Sequence, residues 1–401
     1  MHARNLYIKK IIPYLDTPVV KVITGMRRVG KSYFMRLLIE HLQGKGVKAE
    51  QVIYIDKESL DFDFIQDYKG LNDYIKNRTG EKNGKINLFI DEVQEIEGWE
   101  KCITSLLGSG KYDIFISGSN ASLLSSELAS LLSGRYIELQ LYSLGFQEFL
   151  DFMGASSQEA DSQFRNYLKF GGFPALPHFD LDREVVYQYI SSLYNTILLK
   201  DVVKRHNIRN IALLEGITRY AFDNIGSIFS AKKLSDYLKS QKMSVGVETV
   251  QSYLSYICST FALHKVQRYD IKGKRILELH EKYFLGDIGM RHALLGFREA
   301  DISGMLENLV FLELRRRGYE VHLGKLGNQE VDFIATRADE KVYIQVAYLL
   351  ASSETVKREF TPLLAIKDNY PKYVISMDTI FGSDYEGIKR LYLIDFLLGE
   401  L

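Results

Sequence analysis

The sequence predicts a mixed α/β fold built on a parallel sheet, and three stretches support this prediction. In residues 18–38 an apolar run, a glycine loop and an amphipathic helix follow one another without a gap. Residues 86–90 and 112–116 are short apolar runs that end in polar residues, with a helix-like segment at 99–107 between them. Strands that alternate with helices in this way are typical of α/β domains with a parallel sheet.

The glycine loop has the spacing of a phosphate-binding loop. Gly25 and Gly30 bracket four residues and precede Lys31 and Ser32, which matches G-x-x-x-x-G-K-[ST]. Glycines let backbone N–H groups approach phosphate oxygens, and a helix starting near Lys31 points its positive end there. Lys31 is predicted to hold the β and γ phosphates, and Ser32 to ligate Mg²⁺; an ordinary strand-to-helix turn is the alternative. The predicted nucleotide-binding residues are Gly25, Met26, Arg27, Arg28, Val29, Gly30, Lys31, Ser32 and Tyr33.

The strand predicted at residues 86–90 ends in two adjacent carboxylates, Asp91 and Glu92. At the carboxyl edge of a sheet, one carboxylate can hold the Mg²⁺ shell while the next polarises a water molecule. We therefore predict Asp91 as a metal ligand and Glu92 as the general base, with a solvated strand end as the alternative. Upstream, residues 52–56 are predicted to form a second strand and residues 60–75 a helical or irregular segment.

The strand predicted at 112–116 leads into Ser117, Gly118, Ser119 and Asn120. A polar side chain at this strand tip can hydrogen-bond a γ-phosphate or its attacking water, as the motif called sensor 1 does. Asn120 or Ser119 could fill that role, and Asn120 could equally cap a helix predicted at 121–132. Arg135 then precedes a fifth strand, predicted at 136–141.

Residues 18–141 resemble the P-loop core of the AAA+ ATPases, with Walker A, Walker B, sensor 1 and an arginine before the fifth strand in that order. The whole chain is similar to bacterial and archaeal ATPases that join such a core to a C-terminal domain of unknown function. Sequence segments that support this match are LSGRYIELQLYSLGFQEFL, GGFP, LLKDVVKRHNI and YFLGDIGMRHALLG. The resemblance implies an ATPase that uses ATP and Mg²⁺, with a core at residues 1–144.

The resemblance also implies an assembly. In AAA+ proteins an arginine at the place of Arg135 reaches the ATP of a neighbouring subunit, whereas the alternative is a surface arginine favoured by a helix dipole. With Lys31, Glu92 and Asn120, Arg135 completes the predicted catalytic set. A finger that acts between subunits implies a homo-oligomer, most simply a closed ring, for which a hexamer is one candidate size.

Residues 145–208 are predicted to form a helical lid, with a break between helices at Gly171 to Pro174. A second sensor that reaches the phosphates could come from this region, although each candidate could also be a solvated surface charge. The candidates are Arg165, Lys200, Lys204, Arg205 and Arg209.

Residues 209–299 are predicted to form a winged-helix domain. Ser230 can cap a helix at 231–240, a short turn leads to a helix at 248–260, and two extended runs at 263–269 and 275–279 follow. The second helix contains no Lys or Arg, so contact with DNA would depend on the basic wing, and a structural or subunit-packing role is equally open. The wing cations are Lys265, Arg268, Lys272, Lys274 and Arg275.

Residues 300–401 have the αβββαβ order of restriction-endonuclease-like domains. The resemblance places Glu307 and Asp332 at two of the four positions that gather metal in such nucleases. Gln345 and Ala347 stand at the other two, where the family has a carboxylate and a lysine. Gln345 carries no charge and Ala347 carries no ammonium, so we expect this domain not to hydrolyse DNA.

Composition adds limits on partners and compartment. Lys plus Arg and Asp plus Glu number 51 each, so no global charge indicates nucleic acid or membrane as a partner. Cys102 and Cys258 form neither a metal-spaced cluster nor an obvious disulfide, which suggests a reducing compartment. No signal-peptide core and no run of ~18 uncharged apolar residues is present, so we expect a cytoplasmic protein without a membrane partner.

The sequence thus predicts an Mg²⁺-dependent ATPase that uses ATP turnover to rearrange its winged-helix and nuclease-like domains, acting on DNA or a protein. A slow nucleotide-dependent switch is one alternative, and a DNA-binding or defence-associated module with a regulatory ATPase is another. A small-molecule kinase is disfavoured because adjacent Asp91 and Glu92 favour attack by water.

Overall fold

The computed structural model describes residues 2–80, 84–121, 132, 134–379 and 384–400. Contacts between residues divide the chain into two compact units. The first unit comprises Met1–Leu141 with Ser259–Phe261, and the second comprises Tyr142–Cys258 with Ala262–Leu401.

The first unit has the predicted alternation of strands and helices. Its strands are β1 (Val20–Thr24), β2 (Val52–Asp56), β3 (Ile86–Asp91), β4 (Tyr112–Gly118) and β5 (Tyr136–Gln140). Its described helices are α1 (Asn5–Ile11), α2 (Lys31–Gly44), α3 (Tyr68–Thr79) and α4 (Trp99–Gly108), with 3₁₀ turns at Ile12–Tyr14, Ala49–Gln51, Leu60–Phe62 and Val93–Glu95.

The five strands form one parallel sheet in the order β2-β3-β4-β1-β5, which confirms the predicted fold class. Every residue of β1, β3 and β4 is buried, as expected for strands covered on both faces. The register places Thr24 opposite Gly118 and Asp56 opposite Asp91. The carboxyl ends of these strands, and the predicted site residues that follow them, therefore lie along one edge of the sheet.

Several predicted boundaries in the first unit shift, and most of one predicted helix lies outside the described residues. The strands predicted at 86–90 and 112–116 continue to Asp91 and Gly118. Helix α3 begins at Tyr68, later than predicted, because the Asp67 carboxylate accepts hydrogen bonds from the Lys69 and Gly70 N–H groups. The helix predicted at 121–132 lies almost entirely outside the described residues, so the capping role of Asn120 stays a prediction.

The second unit begins with helices and ends with a large sheet. Its α-helices are α5 (Phe146–Met153), α6 (Ala160–Phe170), α7 (Arg183–Thr196), α8 (Ile211–Asp223), α9 (Ala231–Ser240), α10 (Val247–Ser259), α11 (Ile288–Leu295), α12 (Ile302–Arg317), α13 (Ser353–Leu364) and α14 (Leu393–Leu398), with a π-helix at Ile197–Lys204 and 3₁₀ turns at Ser157–Glu159, Leu176–Phe179 and Glu299–Asp301. Its strands are β6 (Ile228–Phe229), β7 (Leu263–Asp270), β8 (Arg275–Leu285), β9 (Glu320–Leu326), β10 (Gln329–Arg337), β11 (Glu340–Val346), β12 (Lys372–Ser376), β13 (Asp384–Tyr385) and β14 (Ile388–Tyr392).

These strands join in one sheet, in the order β13-β14-β12-β11-β10-β9-β7-β8-β6. Strands β7 and β9 pair in parallel, with Arg268 opposite Leu323 and Asp270 opposite Lys325. One hydrogen-bonded sheet therefore contains strands from both segments predicted as separate domains, 209–299 and 300–401, and β8 is longer than predicted. Nowhere in the described chain does a helix have the length and apolar character needed to cross a membrane.

The helical hairpin predicted after Ser230 is present. The Ser230 hydroxyl accepts a hydrogen bond from the Lys233 N–H at the start of α9, as predicted for a cap. Helix α10 buries Val250, Leu254 and Ile257 on one face.

Candidate active site

The loop between β1 and α2 needs glycine at both ends of the motif. A Cβ atom at Gly25, where φ is +143°, would clash with the carbonyl oxygen of Leu141. Gly30 also has a positive φ of 96°, and Arg28 takes a left-handed conformation with φ of 65°. The chain reverses tightly at these positions, which a side chain at Gly25 or Gly30 would disfavour.

Lys31 joins this loop to the end of β3. Its side chain is 5% exposed, and its Nζ donates to the carbonyl oxygens of Gly25 and Met26 at 3.2 and 3.3 Å. The same Nζ lies 3.3 Å from Oε1 of Glu92, whose side chain is 8% exposed. The structure therefore brings together the two sequence motifs that were assigned to phosphate binding and to base catalysis.

Neighbouring side chains hold the carboxylate of Glu92 in place. Its Oε2 accepts hydrogen bonds from the Ser119 hydroxyl, at 3.1 Å, and from the Gln94 side-chain amide. Its backbone N–H donates to the Ser117 hydroxyl at 3.1 Å. Glu92 has a φ of +51°, an uncommon conformation for a residue with a side chain and one that concentrates at functional sites.

Two opposing influences set the pKa of Glu92. Burial alone would raise the pKa of the carboxyl group, but the nearby Lys31 ammonium lowers it, as do the Gln94 amide, the Arg27 guanidinium and the Ser119 hydroxyl. The net result is a pKa below the ordinary value for glutamate. Glu92 is therefore ionised at neutral pH, which is the state a general base requires.

Asp91 is buried beside Glu92 and is also fixed by hydrogen bonds. It accepts from the Tyr54 hydroxyl at 3.0 Å and from the Ser117 hydroxyl. Burial and the neighbouring Asp91 raise the pKa of Tyr54, so the phenol keeps its proton and remains a donor. Neither Tyr54 nor Ser117 belongs to a sequence motif; their roles depend on the alignment of β2 and β4 with β3.

The chemistry of Asp91 and Ser32 fits Mg²⁺. Both offer oxygen ligands, and Ser32 lies half-buried in the first turn of α2. Within the described residues, no group of three or more acidic, histidine or cysteine side chains is arranged as a metal cage. Magnesium is usually bound by one or two protein ligands together with substrate phosphates and water, so a sparse set is the expected one.

The remaining loop residues and strand-tip residues differ in exposure. Arg27 is half-buried and pairs with Glu58 at 3.3 Å, whereas Arg28 is exposed. At the tip of β4, Ser119 contacts Glu92 directly and Asn120 is buried. Of the two sensor 1 candidates, Ser119 is thus the one with a described contact to the base.

Arg135 lies at the opposite edge of the sheet from the phosphate loop. It precedes β5, which runs parallel to β1 with Tyr136 opposite Val20, whereas the loop follows the other end of β1. Five residues of strand separate the two edges by ~16 Å. Arg135 is exposed, and its Nε donates to the Leu132 carbonyl oxygen at 3.4 Å.

A second charged cluster, in the second unit, contains the residues predicted as nuclease remnants. Glu307 and Asp332 lie together, and Nζ of Lys282 is 2.9 Å from the former and 3.5 Å from the latter. The sequence analysis found no ammonium at this site because Ala347 stands where the family has a lysine. Strand β8 supplies one from a distant position, which motif spacing gave no means of predicting.

Gln345 connects this cluster to a third carboxylate. Its side-chain oxygen accepts from the Asp332 N–H at 3.2 Å, and its side-chain N–H donates to Glu359 at 3.0 Å. Burial and the adjacent Asp332 raise the pKa of Glu307 to about 8, although Lys282 opposes the shift. Glu307, Asp332, Gln345 and Glu359 line a cavity of about 880 Å³.

Ion pairs neutralise some of the predicted wing cations. Lys265 pairs with Glu281, and Arg268 pairs with Glu330 at 3.1 Å. Three further wing cations lie exposed at the tip of the β7–β8 hairpin: Lys272, Lys274 and Arg275. The second-sensor candidates belong to the second unit, where Arg205 is half-buried and the others are exposed, namely Arg165, Lys200, Lys204 and Arg209.

A parallel sheet with a glycine loop between β1 and α2, and paired carboxylates after β3, defines a P-loop nucleoside triphosphatase fold. Residues 17–150 match a family described as "AAA domain", and residues 161–301 match a "Domain of unknown function (DUF8612)".

Two relatives match nearly the whole chain. An uncharacterised protein of Haemophilus influenzae is 37% identical over 400 residues, which cover 99% of each chain. The uncharacterised protein MJ1544 of Methanocaldococcus jannaschii is 32% identical over 366 residues, which cover 87% of this chain and 79% of that one. The chain belongs to the family of these two proteins, and it carries an N-terminal AAA domain.

Among solved structures, Cdc6p of Pyrobaculum aerophilum is similar to 66% of this chain over 86% of its own, with 12% identity and a TM-score of 0.32. The Orc1 protein of Aeropyrum pernix, solved in complex with DNA, is similar to 73% of this chain over 92% of its own, with 12% identity and a TM-score of 0.34. Similarities this weak say nothing about what the present chain binds.

Proposed function

We propose that this protein binds ATP with Mg²⁺, hydrolyses it and uses the cycle to rearrange its second unit. The observation that supports the proposal most strongly is the 3.3 Å approach of the buried Lys31 ammonium to the buried Glu92 carboxylate. Burying two charges costs free energy even when they are paired, and this pair lies beside the glycine loop that would hold the phosphates.

Lys31 would bind the β and γ phosphates, together with the N–H groups of the loop Gly25 to Gly30. Its present partners are two backbone carbonyl oxygens and one carboxylate, all at 3.2–3.3 Å. A phosphate oxygen offers a stronger, charge-assisted hydrogen bond than a carbonyl does. Lys31 can therefore exchange these partners for phosphate without leaving its place at the start of α2.

Ser32 and Asp91 would hold the metal, Ser32 directly and Asp91 directly or through water. Bound Mg²⁺ would neutralise charge on the phosphates. Tyr54 and Ser117 donate hydrogen bonds to Asp91, which keeps its carboxylate oriented.

Glu92 would accept a proton from the attacking water. Ser119 and Gln94 hold its carboxylate in a fixed orientation, and Asn120 or Ser119 would sense the γ-phosphate. When Lys31 turns to phosphate, its charge acts less strongly on Glu92, which weakens one of the influences that lower the pKa of the carboxyl group. A general base works best when its pKa approaches the ambient pH, so nucleotide binding itself would activate Glu92.

Arg135 would complete the site of a neighbouring subunit. Its place at the far edge of the sheet, ~16 Å from the phosphate loop along β1, disfavours action within one chain. An exposed guanidinium at that edge suits contact with the nucleotide of a neighbour, as in a head-to-tail ring. A homo-oligomeric ring, with a hexamer as one candidate, follows from this assignment.

The second unit would carry the output, through its winged-helix-like and nuclease-like segments. The exposed cations Lys272, Lys274 and Arg275 at the hairpin tip favour DNA as a partner, whereas the ion-paired Lys265 and Arg268 do not contribute to such a surface. A protein partner would fit a structural hairpin instead. We expect no nuclease activity, because Lys282 already compensates Glu307 and Asp332.

Lys31→Ala tests the proposal, with Lys45→Ala as its control. Lys45 is an exposed lysine at the end of the same helix. Lys31→Ala should abolish binding of Mg²⁺-ATP in calorimetry because the triphosphate loses its main side-chain cation, whereas Lys45→Ala should bind as the wild type does. Equal binding by Lys31→Ala and the wild type would refute the site.

Steady-state turnover with and without DNA separates the alternatives. Fast, Mg²⁺-dependent turnover supports a motor-like cycle, whereas tight binding with negligible turnover supports a slow switch. DNA binding that weakens steeply with salt and occurs without nucleotide would favour the DNA-binding or defence-associated module.

A further inference from the structure

Arg4 is a buried arginine next to the phosphate loop, and no sequence motif includes it. It directly precedes α1, where its carbonyl oxygen accepts hydrogen bonds from the N–H groups of Tyr7 and Ile8, both at 3.1 Å. The residue is only 1% exposed, and its guanidinium carbon lies 4.6 Å from the centre of the Tyr7 ring. Burying a guanidinium is unfavourable unless it is hydrogen-bonded, so the groups that Arg4 contacts must stabilise it there.

One contact reaches the phosphate loop itself. Nη1 of Arg4 donates a buried hydrogen bond of 2.8 Å to the carbonyl oxygen of Val29. Val29 precedes Gly30, the last glycine of the motif, and is itself buried. Arg4 therefore holds the peptide unit that joins Val29 to Gly30.

The geometry of that peptide unit gives the contact a consequence. The peptide is planar and trans, so its C=O and N–H groups point in opposite directions. Fixing the Val29 oxygen toward Arg4 therefore directs the Gly30 N–H away from Arg4. A charged donor on the carbonyl oxygen also polarises the peptide, which strengthens the same N–H as a donor.

We propose that Arg4 is a positioning residue that presents the Gly30 N–H to a nucleotide phosphate. The proposal rests on the proposed function, since it concerns the same phosphate loop. Arg4 would touch neither phosphate nor metal and would act through the Val29–Gly30 peptide. Without Arg4 this peptide could rotate, and the loop would lose affinity for ADP as well as for ATP.

Further contacts tie the N-terminal segment to the start of α2. The Tyr33 hydroxyl donates to the carbonyl oxygen of His2 at 3.1 Å, and the rings of Tyr7 and Phe34 meet edge to face at 6.1 Å. These contacts hold Arg4 against the loop. They are also compatible with an alternative in which Arg4 only stabilises the packing of α1 against the core.

Three variants distinguish a role of Arg4 in orienting the Val29–Gly30 peptide from a role in packing α1 against the core. Arg4→Met removes the donor and keeps an apolar stem, Arg4→Lys keeps a charged donor, and Ile11→Ala shortens another fully buried side chain at the other end of α1. Calorimetry with Mg²⁺-ADP should give about tenfold weaker binding for Arg4→Met, the usual scale for a charge-assisted hydrogen bond. Arg4→Lys should recover part of the loss, and Ile11→Ala should bind within twofold of the wild type.

Nuclear magnetic resonance can observe the peptide directly. Protein labelled with ¹³C-carbonyl valine and ¹⁵N-glycine gives signals for two Val-Gly peptides, Val29–Gly30 and Val245–Gly246. Mg²⁺-ADP should shift the Gly30 amide signal in the wild type and in Ile11→Ala. In Arg4→Met the Val29 carbonyl signal should move before any nucleotide is added, and the ADP-induced shift at Gly30 should shrink. The Val245–Gly246 signal comes from the second unit and serves as the internal reference, and circular dichroism reports whether each variant is folded.

The outcomes keep the two proposals apart. If wild type and Ile11→Ala bind neither ATP nor ADP, the proposed function fails and the role of Arg4 fails with it. If both bind, and Arg4→Met binds ADP equally tightly with an unchanged Gly30 shift, the positioning role alone is wrong. Should Arg4→Met not fold, Arg4→Gln, which keeps a polar side chain but loses the charge, decides: ADP binding weakened several-fold supports the role, and binding equal to that of the wild type overturns it.

Discussion

Lys31 in the first unit and Lys282 in the second are buried lysines that contact carboxylates, yet the sites around them differ. Lys31 contacts one carboxylate, Glu92, and two carbonyl oxygens, all at 3.2–3.3 Å. Lys282 lies between two carboxylates, 2.9 Å from Glu307 and 3.5 Å from Asp332. Phosphate can replace the partners of the first lysine, whereas the charge of the second is already paired with two carboxylates of the same unit.

The carboxylates at the two sites respond in opposite directions. At the first site the lysine and neighbouring donors outweigh burial, and the pKa of Glu92 is lowered. At the second site burial and a like charge outweigh the lysine, and the pKa of Glu307 is raised. A single carboxylate beside a lysine stays ionised and ready to act as a base, while a crowded group of carboxylates retains a proton. At the first site phosphate can replace the partners of the lysine, whereas the second site stabilises the fold of its own unit.

The largest expected effect is a loss of ATP turnover on substitution of Arg135, which would complete the first site of a neighbouring chain. Arg135→Ala should bind ATP normally but turn over ~10³- to 10⁵-fold more slowly, since a guanidinium finger stabilises charge on the transferring phosphate. Mixing Arg135→Ala with Glu92→Gln should restore part of the activity, because some interfaces then pair an intact base with an intact finger. Steady-state ATPase assays on freely exchanging subunits measure both.

Two results would contradict that arrangement. One is the absence of rescue in subunits shown to exchange. The other is a monomer that hydrolyses ATP at a specific rate independent of protein concentration.

If the second site stabilises the fold, removing its lysine should lower the stability of the second unit. Lys282→Met should lower the free energy of unfolding of the second unit by about 3–5 kcal/mol, because it leaves Glu307 and Asp332 buried without their cation. Lys265→Met, in the same hairpin but with a 44% exposed side chain, should cost less than about 1 kcal/mol. Chemical denaturation compares the two variants, and equal stability losses would remove the distinction.

The opposite pKa shifts predict opposite responses to pH. Glu307 binds its proton more tightly when folded, so between its ordinary value of 4.5 and about 8 the folded state holds a proton that the unfolded state has released. Its contribution to stability is therefore present at acid pH and is lost as the pH rises through this window. Glu92, whose folded pKa is lowered, contributes above 4.5 and loses its contribution as the pH falls.

Thermal midpoints measured across this pH range check these signs. Glu307→Gln should flatten the decline toward alkaline pH, and Glu92→Gln should not. A decline of the same slope in Glu307→Gln would mean that another group carries the titration.

The residues of the first site could be proposed from the sequence because the motifs that contain them are local. Gly25 and Gly30 are required by the backbone of a single loop, and Asp91 and Glu92 directly follow one strand. The contacts that orient them were not predictable in the same way. Tyr54 reaches Asp91, and Ser117 reaches both Asp91 and the Glu92 N–H, only because three strands align in register.

The second site shows the limit of motif spacing more clearly. The resemblance grouped Glu307 and Asp332, which lie on α12 and β10, but no motif indicated an ammonium from β8. Lys282 reaches them because β7 pairs with β9, a contact between segments more than fifty residues apart. Arg4 was missed for a similar reason, since nothing near it in sequence indicates a partner at Val29.

The central claim is that Lys31 and Glu92 form an ATP-hydrolysing pair, and a single-turnover assay on Glu92→Gln tests it most directly. Wild type, Glu92→Gln and Glu95→Gln are loaded with labelled Mg²⁺-ATP, and the bound nucleotide is recovered over time. Glu95 is an exposed glutamate three residues further along, so its variant controls for the charge change. Glu92→Gln should retain bound ATP and hydrolyse it ~10²- to 10⁴-fold more slowly, while Glu95→Gln should match the wild type. Hydrolysis by Glu92→Gln at the wild-type rate would contradict the account.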